Sequence, residues 1–292
     1  MGKDLAEVFP QARAIFVQAD ALLQFPLSRL CWEGPSEVLT RTENCQPALY
    51  VTSMAALAAL QSLVGGPLSP KAAAGLSLGE YTALAAAGAI SVEDGLRLVR
   101  LRGQAMEQAA RQHPGTMASV LGLELVTLEQ ICAGTGAQVA NINSPGQLVI
   151  SGTPQSVHAA LEKAKEKGAK RVIPLEVGGA FHSRLMEPAG SRLKEAIASL
   201  EVRSPRFPVV SNVTGGFYES PEQIRTLLVE QMTRPVQWEA SMRTLIGSGL
   251  RTFLEVGSGS VLKGLCRKID PEAQVFLAGT VEQGREVASQ LA

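Results

Sequence analysis

The chain has 292 residues, 46% hydrophobic and 18% charged, with 27 Lys and Arg balancing 27 Asp and Glu. That apolar content can fill a core and argues against a disordered chain. A zero net charge with no basic cluster, and only 4% aromatic residues for stacking, argue against a nucleic-acid binder.

At about 150 residues per domain the length allows one large domain or two unequal ones. Cys31, Cys45, Cys132 and Cys266 lack the C-x-x-C spacing of a zinc or redox site, and three histidines are too dispersed for a metal cluster. The thiols are therefore expected to be reduced and mostly buried. Met1–Leu5 has no apolar signal-peptide segment, and Ala6 stands where a myristoylation motif carries Ser or Thr. The expected setting is the cytoplasm.

In chain order, Cys45–Pro70 carries no charge, but Gln46, Thr52, Ser53, Gln61 and Ser62 interrupt it and Gly65-Gly66-Pro67 ends it. A membrane span needs ~20 predominantly apolar residues, so the stretch reads as a buried helix over Pro47–Val64. A short strand is expected at Lys71–Ala74 and a helix at Leu78–Ala87. Ser91 and Asp94 resemble a capping box for a helix over Val92–Gln112, whose apolar stripe is Val92, Leu96, Val99, Gly103, Met106 and Ala110. His113-Pro114-Gly115 stops it.

Beyond it the spacing predicts a strand at Met117–Leu123, a short helix at Thr127–Cys132 and a hairpin of Gln138–Ile142 with Gln147–Ser151. A helix capped by Thr153 with Pro154 at its first position follows, and then a strand at Arg171–Val177. The order βαββαβ over about 60 residues suggests a ferredoxin-like subdomain, 116–177, inserted in a larger domain formed by 1–115 and 178–292. Helices at Arg184–Leu200, Pro221–Met232 and Glu239–Gly247 alternate with strands at Pro208–Ser211, Thr252–Val256 and Val275–Ala278. That alternation predicts an α/β fold with a parallel-sheet, hydrolase-like main domain.

Gly75-Leu76-Ser77-Leu78-Gly79 fits G-x-S-x-G between an expected strand and an expected helix, the setting of a nucleophile elbow. The glycines permit a tight turn that projects the Ser77 hydroxyl. The amides that open the next helix can stabilise an oxyanion. A plain Gly-rich turn is the alternative. A serine nucleophile needs a base. His113, in a helix-ending loop, and His158, mid-helix, read as surface residues. His182 lies in Gly178–Ser183, between a strand and a helix, where α/β folds place functional loops. It is the candidate base, and no Asp or Glu presents itself to orient it.

Gly75–Tyr81 with its alanine-rich continuation resembles the nucleophile motif of the malonyl-CoA:acyl carrier protein transacylases. So do Arg102–Met106, Asn141–Gln147, Gly179–Ser183, Arg234–Trp238 and Glu255–Gly259, in the family's order along nearly the whole chain. The resemblance implies ping-pong acyl transfer. Ser77 takes malonyl from malonyl-CoA, His182 acts as general base, and the phosphopantetheine thiol of acyl carrier protein receives the group. It implies no bound cofactor; with the charge balance and the buried-helix reading above, neither a nucleic-acid nor a membrane partner is expected, and the expected state is a monomer. Gln231 matches the family's His-orienting Gln; by its own position it reads equally as a surface amide on a helix. Leu78 would supply an oxyanion-hole amide.

Arg102 matches the guanidinium that pairs with malonate, and a planar fork suits a carboxylate in a partly dry pocket. Helical geometry does not select it, because Arg100 and Arg102 each lie about 80° from the centre of the apolar stripe. Asn143 and Gln147 are placed along the substrate or pantetheine path, with a hairpin-turn role for Asn143 equally open. Phe181 resembles the malonyl-selective form of its loop. Two departures stand out. Met1–Leu5 matches residues just after the family's Phe-Pro-Gly-Gln-Gly-x-Gln loop, which usually provides a second oxyanion amide, so either the start lies earlier or this form is impaired. Leu76 stands where the family most often has His, which leaves acyl selectivity open. Two alternatives remain: an α/β-hydrolase with an acid paired to its His, and a weak docking module for acyl carrier protein.

Overall fold

The computed structural model describes residues 1–291. Seven helices come first: α1 (Lys3–Val8), α2 (Pro10–Leu23), α3 (Leu27–Glu33), α4 (Ser36–Leu39), α5 (Thr42–Leu63), α6 (Leu78–Ala86) and α7 (Val92–Gln112). Then come β1 (Thr116–Leu121), α8 (Leu125–Thr135), β2 (Gln138–Ser144), β3 (Gln147–Gly152), α9 (Pro154–Glu166) and β4 (Arg171–Leu175). The rest comprises α10 (Glu187–Ala198), α11 (Pro221–Glu230), α12 (Trp238–Gly247), β5 (Thr252–Val256), α13 (Val261–Ile269), β6 (Gln274–Ala278) and α14 (Val281–Leu291). The chain forms two compact units. The first holds Met1–Gly103, Arg203–Val209 and Leu245 onward; the second holds Gln104–Val202 and Val210–Thr244.

In the second unit β1, β2, β3 and β4 form an antiparallel sheet in the order β2-β3-β1-β4. Its hairpin turns at Pro145-Gly146, where Gly146 takes φ 64°, a conformation that costs glycine little. Thr153 caps α9 by accepting from the Ser156 amide at 3.2 Å, and Pro154 opens the helix as expected. Val120, Ile150, Leu128, Ile131, Val157 and Leu161 join sheet, α8 and α9 in one buried cluster.

In the first unit β5 and β6 pair in parallel. The strand expected at 71–74 shrinks to one parallel bridge, Ala73 with Val209, because the chain turns into the elbow at Gly75 two residues later, and the strand expected at 208–211 keeps only that bridge and an antiparallel one, Val210 with Phe217. The α/β class therefore holds with mixed sheets, antiparallel in one unit and parallel in the other. The four helices before residue 40 and helices α13 and α14 had no counterpart in the sequence reading. Among the described residues no helix is long and apolar enough to cross a membrane. Cys31, Cys132 and Cys266 are buried and Cys45 half-buried, all as free thiols. Burial pushes the Cys31 thiol up to about 11 and that of Cys132 to about 12.

Helix α5 begins five residues earlier than expected and runs through Pro47. Proline has no N–H, so the Glu43 carbonyl, four residues back, lacks its helical donor. Arg100 on α7 replaces it: Nη1 donates to the Glu43 carbonyl at 2.6 Å and to Asn44 Oδ1 at 2.7 Å, with the guanidinium 5.3 Å from the Phe25 ring centre. The arginine thus completes the helix that the proline interrupts. Arg100→Ala should lower unfolding stability by about 1–3 kcal/mol in a urea titration, through the unpaired carbonyl. Arg97→Ala, which removes an exposed partner of Asp94, should change it by under about 0.5 kcal/mol. Equal losses would reject the helix-completing role.

Candidate active site

Ser77 stands at the N-cap of α6 with φ 52° and ψ −102°, outside the regions a side chain ordinarily occupies. Such strain persists only where surrounding contacts hold it. Here the Gly79 amide donates to the Leu76 carbonyl at 2.9 Å and the Glu80 amide to the Ser77 carbonyl at 3.2 Å. A Cβ on Gly75 would overlap the Gly79 carbonyl, whereas one on Gly79 would meet open space. Of the two motif glycines, the turn itself demands only Gly75. Leu78 opens α6, so its amide belongs to the first turn, whose N–H groups have no intrahelical acceptor.

Arg102 is 1% exposed and lies against the elbow. Its Nη2 donates to Ser77 Oγ at 3.0 Å and its Nη1 to Gln46 Oε1 at 2.6 Å. The guanidinium sits 5.3 Å from the centre of the Tyr81 ring. Burial lowers its pKa, while Tyr81 and the fully buried Glu80 act in the opposite direction. Burial likewise pushes the Tyr81 hydroxyl up to about 12, against the pull of the neighbouring guanidinium. Gly103 explains how α7 comes so close: a Cβ there would lie 2.7 Å from the Thr42 carbonyl oxygen and 2.8 Å from Glu43 Cα. Arg100 and Arg102, alike by helical angle, are thus separated by what α5 offers each of them. The sequence shows Gln46 only as a polar interruption in an uncharged helix, and Tyr81 and Glu80 only as part of the serine motif.

In the second unit His182 is 4% exposed and takes φ 56°. Its Nδ1 lies 2.8 Å from the main-chain carbonyl of Gln231. A carbonyl can only accept, so Nδ1 carries the proton and Nε2 is left as the basic nitrogen. That carbonyl lies at the C-cap of α11. Gln231 therefore meets the histidine ring through its backbone carbonyl. The surface-amide reading of Gln231 fails as well, because its side chain is completely buried. The ring N–H that an α/β-hydrolase gives to a carboxylate is here given to a carbonyl. Ser183 steadies the loop by donating to the Ala180 carbonyl at 2.6 Å and accepting from the Leu185 amide at 3.3 Å.

Asn143 lies within β2, not in the turn, which removes the hairpin-turn alternative. Its Oδ1 is buried without a hydrogen-bond donor among the described residues. Gln147 opens β3. Phe181 packs against Met117, Ala140 and Val149. His113 and His158 are exposed, in keeping with surface roles. Among the described residues no group of three or more His, Cys, Asp and Glu is placed to hold a metal ion. The geometry brings together Ser77 with Arg102 in the first unit and His182 with Gln231 in the second.

The fold is that of an α/β acyltransferase. The chain belongs to the acyl transferase domain family, whose profile matches residues 1–283. It is 45% identical over 275 residues to a malonyl CoA-acyl carrier protein transacylase of Bacillus subtilis, covering 92% of this chain and 86% of that protein. A Staphylococcus aureus protein of the same name is 39% identical over 287 residues, covering 97% of this chain and 92% of its own length. Among solved structures, an acyl-carrier-protein S-malonyltransferase from Bartonella henselae superposes with a TM-score of 0.94 at 40% identity, over 100% of this chain and 94% of that one. A malonyl-transacylase in complex with a type II PKS acyl-carrier protein gives 0.95 at 35% identity, over 99% and 94% of the two chains.

Because the acceptor for His182 is a main-chain carbonyl, Gln231→Met should keep kcat/KM within about 10-fold, the cost of a near-isosteric change in a buried site. His182→Ala should lose about 10²–10⁴-fold, the usual contribution of a general base. Steady-state kinetics of the two variants decide it: a Gln231→Met loss as deep as that of His182→Ala would return the role to the side chain.

Proposed function

We propose that the enzyme transfers malonyl from malonyl-CoA to the phosphopantetheine thiol of acyl carrier protein, supplying fatty-acid or polyketide synthesis. Ser77 Oγ attacks the thioester carbonyl while its proton passes to His182 Nε2, and the Leu78 amide stabilises the oxyanion. The tetrahedral intermediate expels the CoA thiolate, which takes the proton from the imidazolium, leaving malonyl-Ser77. The carrier's thiol then gives its proton to His182 and attacks the ester. Ser77 leaves as the alkoxide, is reprotonated by His182 and is ready for another cycle. Donor and acceptor both bring their own thiol, so no bound cofactor is required. The proposal includes a monomeric, cytoplasmic enzyme.

The observation that carries the malonyl assignment is the 3.0 Å contact between Arg102 Nη2 and Ser77 Oγ. In malonate one methylene separates the thioester carbon from the free carboxylate, so the group that binds the carboxylate must adjoin the nucleophile. Arg102 does. Asn143, Gln147 and Phe181 are proposed to line the acyl and pantetheine path, Asn143 through its undonated Oδ1. The strand order β2-β3-β1-β4, with α8 and α9 between the strands, also supports an inserted ferredoxin-like subdomain at 116–177. Segments 1–115 and 178–292 are proposed as the hydrolase-like catalytic domain.

Intact-protein and peptide mass spectrometry after mixing with malonyl-CoA should find a malonyl ester on Ser77 that a carrier thiol removes. Ser77→Ala should form no ester while folding normally. A hydrolase would lose the adduct to water, and a docking module would never form it. Arg102→Ala should lower kcat/KM for malonyl-CoA by about 10²–10³-fold and leave acetyl-CoA level or higher, since only malonate has a carboxylate to lose. Arg102→Lys should recover part of the loss, lacking the planar fork. Equal losses for both acyl groups in Arg102→Ala would reject the carboxylate role.

A further inference from the structure

We infer that Gln46 sets the acyl selectivity of the Arg102 pocket, by holding the guanidinium with an acceptor that carries no charge. The inference rests on the reading of Arg102 as the carboxylate site and names the residue that tunes it. Gln46 is 6% exposed, and its Oε1 accepts from Arg102 Nη1 at 2.6 Å. Its Nε2 donates to Thr42 Oγ1 at 3.1 Å, which fixes the amide orientation, since a reversed amide would present N–H to N–H. The helix end bearing it is held against α7 by Arg100 on the Glu43 carbonyl and by the close approach at Gly103. The acceptor is therefore built in.

A carboxylate in this position would hold an arginine more strongly, because charge-assisted bonds are about twice as strong as neutral ones. The chain places an amide there instead. Glu80, fully buried, already acts electrostatically on Arg102. A second carboxylate directly on the fork would offset the charge that an incoming malonate needs. It would also crowd two anions onto one buried cation, where like charges repel across little solvent. The amide fixes the plane of the fork and leaves its charge to the substrate. Specificity then comes from what Gln46 lacks as much as from the bond it makes.

The test is the ratio of kcat/KM for malonyl-CoA to that for acetyl-CoA, because a merely structural role lowers both together. Gln46→Glu should cut the malonyl value about 10²-fold, as expected for like charges brought together, and leave acetyl within about 3-fold. Gln46→Met keeps the volume and removes the acceptor, so the ratio should fall about 10-fold as the fork loses its orientation. The Met variant also covers the case in which the Glu variant does not fold. Variants that lower both substrates in parallel, or leave the ratio unchanged, would overturn the inference. Arg102→Ala is the arm that separates the two claims. If it collapses the ratio while the Gln46 variants do not, only the role of Gln46 falls; if it leaves the ratio intact, the carboxylate reading itself falls.

Discussion

A buried guanidinium is the constraint around which the first unit is arranged. Taking the Arg102 charge out of water costs several kcal/mol unless its donors are met. Gln46 and Ser77 meet two of them, and the Tyr81 ring lies close to the group. Each partner arrives on a different element: Gln46 on α5, Ser77 and Tyr81 at and just inside the elbow helix, Arg102 on α7. Gly103 lets two of these helices touch backbone to backbone, and Arg100 repairs the carbonyl that Pro47 leaves open. The local irregularities of this unit serve to put one cation beside one hydroxyl.

The second unit solves a different problem, that of holding a histidine in one tautomer. A main-chain carbonyl at the end of α11 fixes the tautomer without adding a formal negative charge.

Ser77 and His182 both carry unusual backbone. Three non-glycine residues among those described have positive φ: Ser77, His182, and Gln24 at the end of a helix. The last is an ordinary helix termination, in which the αL conformation closes the final turn. The other two are the candidate nucleophile and the candidate base. Strain of this kind costs about 1–3 kcal/mol per residue and survives where neighbouring hydrogen bonds over-determine the turn. The two elbow amide bonds at Ser77 and the Ser183 bonds beside His182 supply them.

Much of this was legible in the amino-acid order, and for stated reasons. The capping residue Thr153, the Pro145-Gly146 turn and the apolar stripe of α7 act within a few residues, so their elements appear close to where pattern places them. Ser77, Arg102 and His182 were likewise named by short motifs. Periodicity could not tell Arg102 from Arg100, because both lie at the same angle from the stripe and only the facing helix distinguishes them. Nor could it show that Gln231 acts through its carbonyl, that Gln46 faces the guanidinium, or that α5 passes through Pro47 on the strength of an arginine 53 residues away along the chain. A sequence determines what a helix end or turn will do by itself. Which buried donor meets which acceptor depends on residues far apart in the chain, and only tertiary packing decides it.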